Sequence, residues 1–390
     1  MNEWKSKTLG EVTSYIAKGI PPKYVEKETK DTIRVLNQKC NRDFRISYKD
    51  SRLHDNAAKK APDVKMLKSG DVLINSTGTG TAGRVAQIRD VPTSTTIDGH
   101  MILMRPTSEM DPLYYGYAIK AYQATIETYA EGSTGQTEIN KARLQDETII
   151  RFPEDKEEQH KIGRILADID DKTIENEQIK NKNLEEQAQA IFKSWFVDYD
   201  PFDSIMPSDW ITSTLGEVST MGAGGDKPKD VSDVMTDTYP YPIYSNSLND
   251  EGLYGYTNNF KISEESVTVS ARGTIGFVCL RHVLYTPIVR LVTLVPHTEI
   301  ISAKYLYLWL KSIHITGTGT TQQQLTVPDF KKTEIIVPIA SIMASFTDKV
   351  TPMFEEIWEN QAENTKLASI RDTLLPKLMS GEIDMTDINY

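Results

Sequence analysis

The sequence predicts an α+β fold in which two similar globular domains are separated by two long helices that pack against each other. Three observations support this prediction. The chain of 390 residues repeats the pentapeptide TLGEV, at Thr8–Val12 and at Thr214–Val218, each time four residues after a tryptophan. Each repeat is followed by a strand-rich stretch, and each such stretch ends in a long segment of helix-forming composition. The order of elements is therefore globule, helix, globule, helix.

The composition is that of a globular protein and excludes several classes. Apolar residues make up 39% and charged residues 25% of the chain, which is too apolar for a disordered segment. No stretch approaches the roughly 18 uninterrupted apolar residues that a membrane span needs. The two cysteines, Cys40 and Cys279, are far apart in sequence, so neither a disulfide framework nor a cysteine zinc site is expected. These features favour a protein of the reducing cytoplasm.

The charge distribution is uneven. The formal net charge is −11, which argues at first against binding nucleic acid, because DNA phosphates are neutralised by Lys and Arg. The acidic excess lies in residues 154–203 and 339–390, whereas residues 1–153 carry a basic excess. Within that first segment, Lys30–Lys68 is strongly basic. The overall acidity therefore does not exclude a DNA-binding surface in the first globule. The alternative is that these basic residues form an ordinary solvated surface.

The repeat extends well beyond TLGEV. Residues 71–88 (DVLINSTGTGTAGRVAQI) resemble 266–280 (SVTVSARGTIGFVCL), each predicting a strand, a small polar loop and a second strand. Residues 132–144 (GSTGQTEINKARL) resemble 317–330 (GTGTTQQQLTVPDF), both followed by an isoleucine-containing strand and a proline. The spacing drifts while the order is kept, as expected of a tandem duplication whose loops have diverged in length.

The segments after each globule predict long helices. About 43 residues after Pro153 are rich in Glu, Gln, Lys, Ala and Leu and contain no proline. The second helix shows apolar residues at heptad spacing, and Pro352 predicts a break in it. The direction of one helix relative to the other is open at this level. The predicted segments are a globule at 1–153, a helix at 154–199, a linker at 200–208, a globule at 209–338 and a helical region at 339–390.

Catalytic signatures are missing. GTGTAGR at Gly78–Arg84 has the glycine spacing of a phosphate-binding loop but lacks its Lys. No Gly-x-Ser-x-Gly or His-Glu-x-x-His pattern occurs, and neither does the Asn/Asp-Pro-Pro-Tyr tetrapeptide of amino-methylating enzymes. The six histidines are scattered. The chain is therefore expected to have no active site of its own.

Two longer strings resemble a known family. Leu184–Phe202 (LEEQAQAIFKSWFVDYDPF) and Arg371–Ile383 (RDTLLPKLMSGEI) are similar to the central and C-terminal conserved regions of specificity subunits of type I restriction-modification systems. The paired W-x4-LGEV openings and the SGEI ending also stand where that family has them. The resemblance runs from end to end. It implies two target recognition domains separated by an antiparallel coiled coil, with pseudo-two-fold symmetry.

The resemblance also implies partners. In that family each recognition domain reads one half of a bipartite double-stranded DNA target, and the helix pair sets the unread spacer. The subunit is not catalytic; it docks two methyltransferase subunits and, in some complexes, two restriction subunits. It binds no cofactor itself, since S-adenosylmethionine belongs to the methyltransferase, and ATP and Mg belong to the restriction subunit.

Candidate DNA-binding residues follow from the polar loops. Lys and Arg suit phosphates, and Arg, Lys, Asn, Gln, Ser and Thr suit base edges. In the first globule they are Lys18, Lys23, Arg34, Lys39, Arg42, Asn75, Ser76, Thr77, Arg84, Ser133, Thr134 and Gln136. In the second they are Lys227, Lys229, Ser270, Arg272, Gln322, Gln323 and Gln324. Any one of them is alternatively a solvated loop residue.

Two other functions are compatible with part of the pattern. A protein-protein scaffold whose two heads bind peptides or glycans would fit the duplication, the helices and the acidity, but not the two family-like strings. A self-contained nuclease or methyltransferase would need the catalytic motifs that the sequence lacks.

Overall fold

The computed structural model describes residues 3–132, 137–317, 324–383 and 385, and it divides into two compact units. Unit 1 comprises Met1–Glu175 and Ala362–Tyr390, and unit 2 comprises Asn176–Gln361. Each unit therefore contains one strand-rich globule and a part of each long helix. In the segments predicted from the sequence, the long helices are separate from the globules. In the structure, each half of a long helix belongs to the same unit as the globule on which it packs.

Unit 1 is built mainly of short strands. Its strands are β1 (Trp4–Thr8), β2 (Thr13–Lys18), β3 (Tyr24–Val25), β4 (Thr32–Leu36), β5 (Asn41–Arg42), β6 (Arg45–Ile46), β7 (Arg52–Asp55), β8 (Val72–Asn75), β9 (Val85–Gln87), β10 (Thr95–Ile97), β11 (Met101–Pro106), β12 (Ala130–Glu131), β13 (Glu138–Ile139) and β14 (Ile149–Pro153). Its helices are α1 (Pro112–Ala121), α2 (Gln123–Glu127), α3 (Lys141–Asp146) and α4 (Lys156–Ile174), with 3-10 turns at Gln38–Cys40 and Asp63–Lys65.

Unit 2 begins within a π-helical segment, Glu175–Asn181, which continues α4 into α5 (Lys182–Phe196). Its strands are β15 (Ile211–Thr214), β16 (Ser219–Ala223), β17 (Tyr241–Tyr244), β18 (Leu253–Thr257), β19 (Ser266–Val269), β20 (Val278–Arg281), β21 (Thr286–Pro287), β22 (Val292–Pro296) and β23 (Glu334–Val337). Its other helices are α6 (Leu215–Val218), α7 (Ala303–Ser312), α8 (Val327–Phe330) and the start of α9 (Ala340–Ser380), with 3-10 turns at Asp200–Phe202 and Asn249–Gly252.

The two globules share one topology, which confirms the predicted duplication. The main sheet has the order β2-β11-β8-β9 in unit 1 and β16-β22-β19-β20 in unit 2. A second sheet contains a parallel pair, β10 with β4 or β21 with β17, and an antiparallel neighbour, β7 or β18. The first and last strands of each globule pair antiparallel, β1 with β14 and β15 with β23. Equivalent sequence repeats therefore form equivalent strands.

The repeated TLGEV motif forms the same capped turn twice. In unit 1 the carboxylate of Glu11 accepts hydrogen bonds from the backbone N–H of Thr8 at 2.7 Å and from its hydroxyl at 3.0 Å. In unit 2 Thr214 and Glu217 form the equivalent capping box, a pairing that satisfies backbone donors left free where a helical turn begins. The hydrogen bonds from Thr8 lower the pKa of Glu11, and those from the hydroxyl of Ser213 and from Thr214 lower the pKa of Glu217. The Leu and Val of both copies are fully buried, so the motif anchors one edge of each core.

The two long helices run antiparallel within unit 1. Near the end of α4, the backbone carbonyl of Thr173 accepts a hydrogen bond from the side-chain amide of Asn364 at 3.3 Å. One turn earlier on α4, Asp170 pairs with Arg371 at 3.0 Å, further along α9. Later residues on α4 therefore contact earlier residues on α9, which defines an antiparallel pair.

The helices are also antiparallel within unit 2. The side-chain amide of Asn360 donates to the side chain of Asn181 at 2.8 Å, and the ring of Phe192 lies 6.1 Å from that of Phe346. The later residue on α5 again contacts the earlier residue on α9. The asparagine pair forms a polar layer beside the apolar contacts of the two helices, and such a polar layer fixes the register of paired helices.

The predicted break at Pro352 is wrong, because α9 is a single helix from Ala340 to Ser380. Proline removes one N–H from the helical ladder and frees the carbonyl of Asp348, four residues earlier. Both residues are exposed, so the freed carbonyl lies on the solvated side of the helix. Met343, Phe346, Val350 and Phe354 on the opposite face are buried, and their burial holds the helix together. None of the described helices combines the length and the apolar character required to cross a membrane.

The close packing around Gly19 predicts that adding a side chain at this position destabilises unit 1. A Cβ at this position would overlap the backbone carbonyl oxygens of Ile97 and Asp98, so Gly19→Ala requires the backbone to move. We expect it to lower the free energy of unfolding of unit 1 by about 1–3 kcal/mol, measured by chemical denaturation. Gly222→Ala is the matched control, since a Cβ there has no atom within 4 Å. Equal stability of the two variants would contradict the close approach at Gly19.

Candidate functional site

Two of the repeated motifs, distant in sequence, meet in unit 1. The backbone N–H of Ile139 donates to the carbonyl of Ser76 at 2.8 Å, and Thr77 forms a β-bridge with Glu138. The loop between β8 and β9 therefore lies beside β13. Unit 2 repeats this contact, because the N–H of Leu325 donates to the carbonyl of Ala271 at 3.1 Å.

A third segment, which follows β4, completes this loop cluster in unit 1. The side-chain amide of Asn75 donates to the carbonyl of Gln38 at 3.1 Å. The amide of Asn41 in turn donates to the side chain of Asn75 at 3.1 Å and to the carbonyl of Arg84 at 2.8 Å. The unit 1 cluster thus consists of residues 37–45, 76–84 and 137–139.

A tight turn between β10 and β11 borders the unit 1 cluster. The hydroxyl of Thr77 lies 2.9 Å from Nδ1 of His100 in this turn and 3.4 Å from the side-chain oxygen of Gln38. The carboxylate of Asp98 accepts the N–H of His100 at 2.9 Å. Burial raises the pKa of Asp98, and this hydrogen bond opposes the rise.

Five of the predicted basic or polar residues of unit 1 lie at the cluster. Lys18 forms an ion pair with Glu138, Lys39 and Arg42 are exposed on the segment after β4, and Thr77 and Arg84 are partly exposed on the β8–β9 loop. The guanidinium of Arg84 donates to the carbonyl of Gly80 at 3.1 Å. Lys39, Arg42 and Arg84 give the cluster a basic edge, whereas Glu138 compensates the charge of Lys18.

Two predicted residues of unit 1 lie elsewhere, in or beside the second sheet. Lys23 pairs with Asp55 at 3.1 Å and Arg34 pairs with Glu28 at 2.9 Å. Both charges are therefore compensated within the unit.

Three of the polar candidates are buried, so we correct the role expected of them. Asn75 and Ser76 have no exposed surface, and Ser270 has 1%. The hydroxyl of Ser270 bonds the carbonyl of Thr274 and accepts from the N–H of Phe277 at 3.0 Å. A side chain without accessible surface does not reach a base edge, so these residues shape the loops from inside.

The loop cluster of unit 2 is organised by Asn246, which sequence reasoning missed. Its side-chain oxygen accepts the N–H of Ala271 at 2.7 Å, and its amide donates to the carbonyl of Val289 at 2.6 Å. Arg272, which follows Ala271 in the loop between β19 and β20, is exposed and donates to the side-chain oxygen of Gln324 at 3.2 Å. The unit 2 cluster thus consists of Asn246, residues 270–277, the turn at 288–291 and residues 324–325.

Lys227 and Lys229 lie on the loop after β16. The ammonium of Lys227 donates to the hydroxyl of Tyr254 at 2.6 Å and lies 4.6 Å from its ring centroid. Lys229 lines a polar cavity of about 240 Å³ together with Lys261. Ser133, Thr134, Gln136, Gln322 and Gln323 lie outside the described residues. For every exposed candidate, contact with DNA stays a prediction.

The turn before β11 and before β22 was also missed, although the repeat contains a signal for it. The bridges from Ile20 to Asp98 and from Gly225 to Ile288 align the two turns, so that His100 corresponds to Arg290. Extending the sequence alignment backwards from MILM (Met101–Met104) and LVTL (Leu291–Leu294) would have placed both residues. Their proximity to the loop clusters, in contrast, depends on the fold of the sheet.

Comparison with known proteins agrees with this duplicated architecture. A family model described as "Type I restriction modification DNA specificity domain" matches residues 1–186 and 207–360. The MjaIX specificity subunit of Methanocaldococcus jannaschii is 26% identical, over 88% of this chain and 84% of that protein. The HindI specificity subunit of Haemophilus influenzae is 25% identical, over 98% of this chain and its own full length.

A solved structure shows a similar fold over nearly the whole length. The crystal structure of the type I restriction-modification system S subunit from M. genitalium matches with a TM-score of 0.58 and 17% identity, covering 97% of this chain and 96% of that one. The fold predicted from the sequence is thereby confirmed. With a family match over both duplicated domains, the chain belongs to the type I restriction-modification DNA specificity family.

Proposed function

We propose that this chain reads a bipartite, asymmetric double-stranded DNA target, with the loop cluster of each unit contacting one half-site. The observation that carries the proposal is the duplication of one loop cluster on one sheet topology with different side chains. Two binding surfaces of common design suit two segments of the same duplex, and their different side chains suit two different sequences.

The exposed groups of the clusters fit base and phosphate recognition. Unit 1 presents Lys39, Arg42 and Arg84, and unit 2 presents Arg272 beside Gln324. Arg and Lys donate to guanine O6 and N7 in the major groove or to phosphates, and Gln donates to and accepts from adenine. Thr77 and His100 of unit 1 correspond in position to Arg272 and Arg290 of unit 2. Because these side chains differ, the two half-sites should differ in base sequence.

The long helices would set the spacer between the half-sites. Two readers on the same face of a duplex need a separation near a whole helical turn, roughly 34 Å per turn. Antiparallel pairing within each unit, with asparagine side chains bonded at Asn181–Asn360 and at Thr173–Asn364, resists sliding of one helix along the other. A fixed register implies a fixed number of unread base pairs.

The chemistry would belong to partner subunits. We propose that the helices dock two adenine methyltransferase subunits, that S-adenosylmethionine is bound there, and that ATP and Mg are used only by restriction subunits where these are present. The acidic excess of the helical segments suits protein partners better than phosphates. This chain contributes selection and no catalysis.

Mapping methylated adenines tests the proposal directly. The chain is expressed with methyltransferase subunits in cells that lack related systems, and each component is also expressed alone. We expect one asymmetric two-part motif with a constant gap, present only when both components are present. DNA shift assays should lose affinity steeply as salt rises. Methylation by this chain alone, or a motif that does not depend on it, would contradict the proposal.

A further inference from the structure

The turn that joins β21 to β22 in unit 2 has an unusual backbone conformation. Val289 and Arg290 both have positive φ, 53° and 60°, and the N–H of Leu291 donates to the carbonyl of Ile288 at 3.1 Å. Positive φ is rare for any residue other than glycine and is unfavourable for a β-branched one. Unit 1 has a glycine, Gly99, where unit 2 has Val289.

The strained turn is held by its neighbours. The N–H groups of Val289 and Arg290 donate to the carbonyls of Gly225 and Gly224, each at 2.9 Å. A Cβ on Gly224 would lie 2.7 Å from the backbone nitrogen and oxygen of Ile288, so the two segments approach as closely as glycine allows. Strain of this kind persists where the surroundings over-determine it, and it concentrates at functional positions.

The turn presents its two central side chains to solvent. Val289 is 49% exposed, and Arg290 is exposed as well. Within the described part of the chain, the guanidinium of Arg290 has no hydrogen bond or ion pair. A rigid backbone that displays an uncommitted arginine suits recognition of a ligand better than it suits packing.

Arg290 and Arg272 are brought to the same place by one side chain. Asn246 accepts the N–H of Ala271 at 2.7 Å and donates to the carbonyl of Val289 at 2.6 Å. Each of these contacts lies one residue before an exposed arginine. The two guanidinium groups therefore start from backbone segments that a single amide ties together.

We propose that Arg290 is a second base-reading residue of unit 2, which donates to a guanine in the same half-site as Arg272, with Asn246 as the positioning residue for both. The inference rests on the proposed function. A guanidinium fits the O6 and N7 acceptors of guanine with two parallel hydrogen bonds, and such a fit needs a fixed starting point. A phosphate contact, in contrast, asks only for a nearby positive charge. In unit 1 the corresponding His100 is engaged with Thr77, so that half-site is read differently.

The test uses the full chain together with methyltransferase subunits. Methylated adenines are mapped for the unaltered chain and for Arg290→Ala, Arg290→Lys and Arg272→Ala, with Lys332→Ala as control on an exposed lysine of unit 2. Arg290→Ala should reduce discrimination at one guanine of one half-site by roughly 5- to 150-fold. Arg290→Lys should keep the charge and still relax that guanine. Arg272→Ala should relax a different position of the same half-site, and the control should match the unaltered chain.

Asn246→Ala separates positioning from mere stability. It should relax both positions at once while the other half-site is still read and the chain stays folded by circular dichroism. An unchanged motif for Arg290→Ala would overturn the inference. So would a uniform loss of methylation on all sequences that Arg290→Lys fully restores, since this indicates a phosphate contact. Relaxation by Arg290→Ala in a different half-site from the one affected by Arg272→Ala would also overturn it. If the unaltered chain directs no two-part motif, it is the proposed function that fails.

Discussion

Removing residues 374–390 is expected to unfold unit 1 while unit 2 stays folded. Leu375, Leu378, Met379 and Met385 are all at least 91% buried in the core of unit 1. Gly381, with φ at 73°, comes so close to the ring of Trp4 that a Cβ there would lie 2.8 Å from it. The end of α9 therefore completes the core against the first strand of the chain.

The expected loss is large relative to the stability of a domain. Each of the four side chains contributes about 1.5–3 kcal/mol by burial, so their removal costs roughly 6 kcal/mol or more. A typical domain is stable by only about 5–15 kcal/mol. Hydrogen exchange should show lost protection throughout residues 3–132 and retained protection in β15–β23.

Point variants refine this experiment. Leu378→Ala should cost about 2–5 kcal/mol and lower the protection of unit 1 in the same pattern. Ile370→Ala, on the same helix but 39% exposed, should change stability by less than about 0.5 kcal/mol. Native protection of unit 1 in the truncated chain would show that α9 is not a part of its core.

Phe346→Ala is expected to destabilise unit 2 by about 3–5 kcal/mol. Phe346 is fully buried, and its ring centroid lies 4.8 Å from that of Phe196 and 6.1 Å from that of Tyr305. The residue on α9 thus joins the end of α5 to α7. Its loss opens a cavity where the long helices meet the globule. Chemical denaturation followed by hydrogen exchange would assign the loss to unit 2.

Phe260→Ala provides the matched control in the same unit. Phe260 is 38% exposed and contacts Tyr241 edge-on at 5.0 Å. Its truncation should cost only about 1 kcal/mol. If the two variants are equally stable, the aromatic cluster does not hold the helices to the globule as described.

Much of the architecture could be predicted from sequence because it depends on local sequence patterns. TLGEV repeats because a Thr and a Glu three residues apart cap a turn while Leu and Val between and after them are buried. The strand repeats carry the same alternation of apolar runs and small polar loops, so equivalent strands were expected before either sheet was seen. The break expected at Pro352 failed because a local rule about proline was applied without knowing which face of the helix is solvated.

The candidate site was predicted only in part. Loops flanked by recognisable strands could be placed, and Arg272 and Gln324 do meet in unit 2. Asn75, Ser76 and Ser270 look like loop residues in sequence, yet their side chains turn inward. Polarity in sequence does not distinguish a side chain that satisfies buried backbone groups from one that faces solvent.

The amino-acid sequence by itself therefore determined the duplication, the order of elements and the presence of two long helices, since these depend on periodicity and capping within short windows. Only the tertiary structure decided that the end of α9 completes the first globule, and that Asn246 gathers Arg272 and Arg290 into one cluster. Those contacts join segments tens to hundreds of residues apart. Their geometry depends on sheet order and close backbone approach, which no short window of sequence contains.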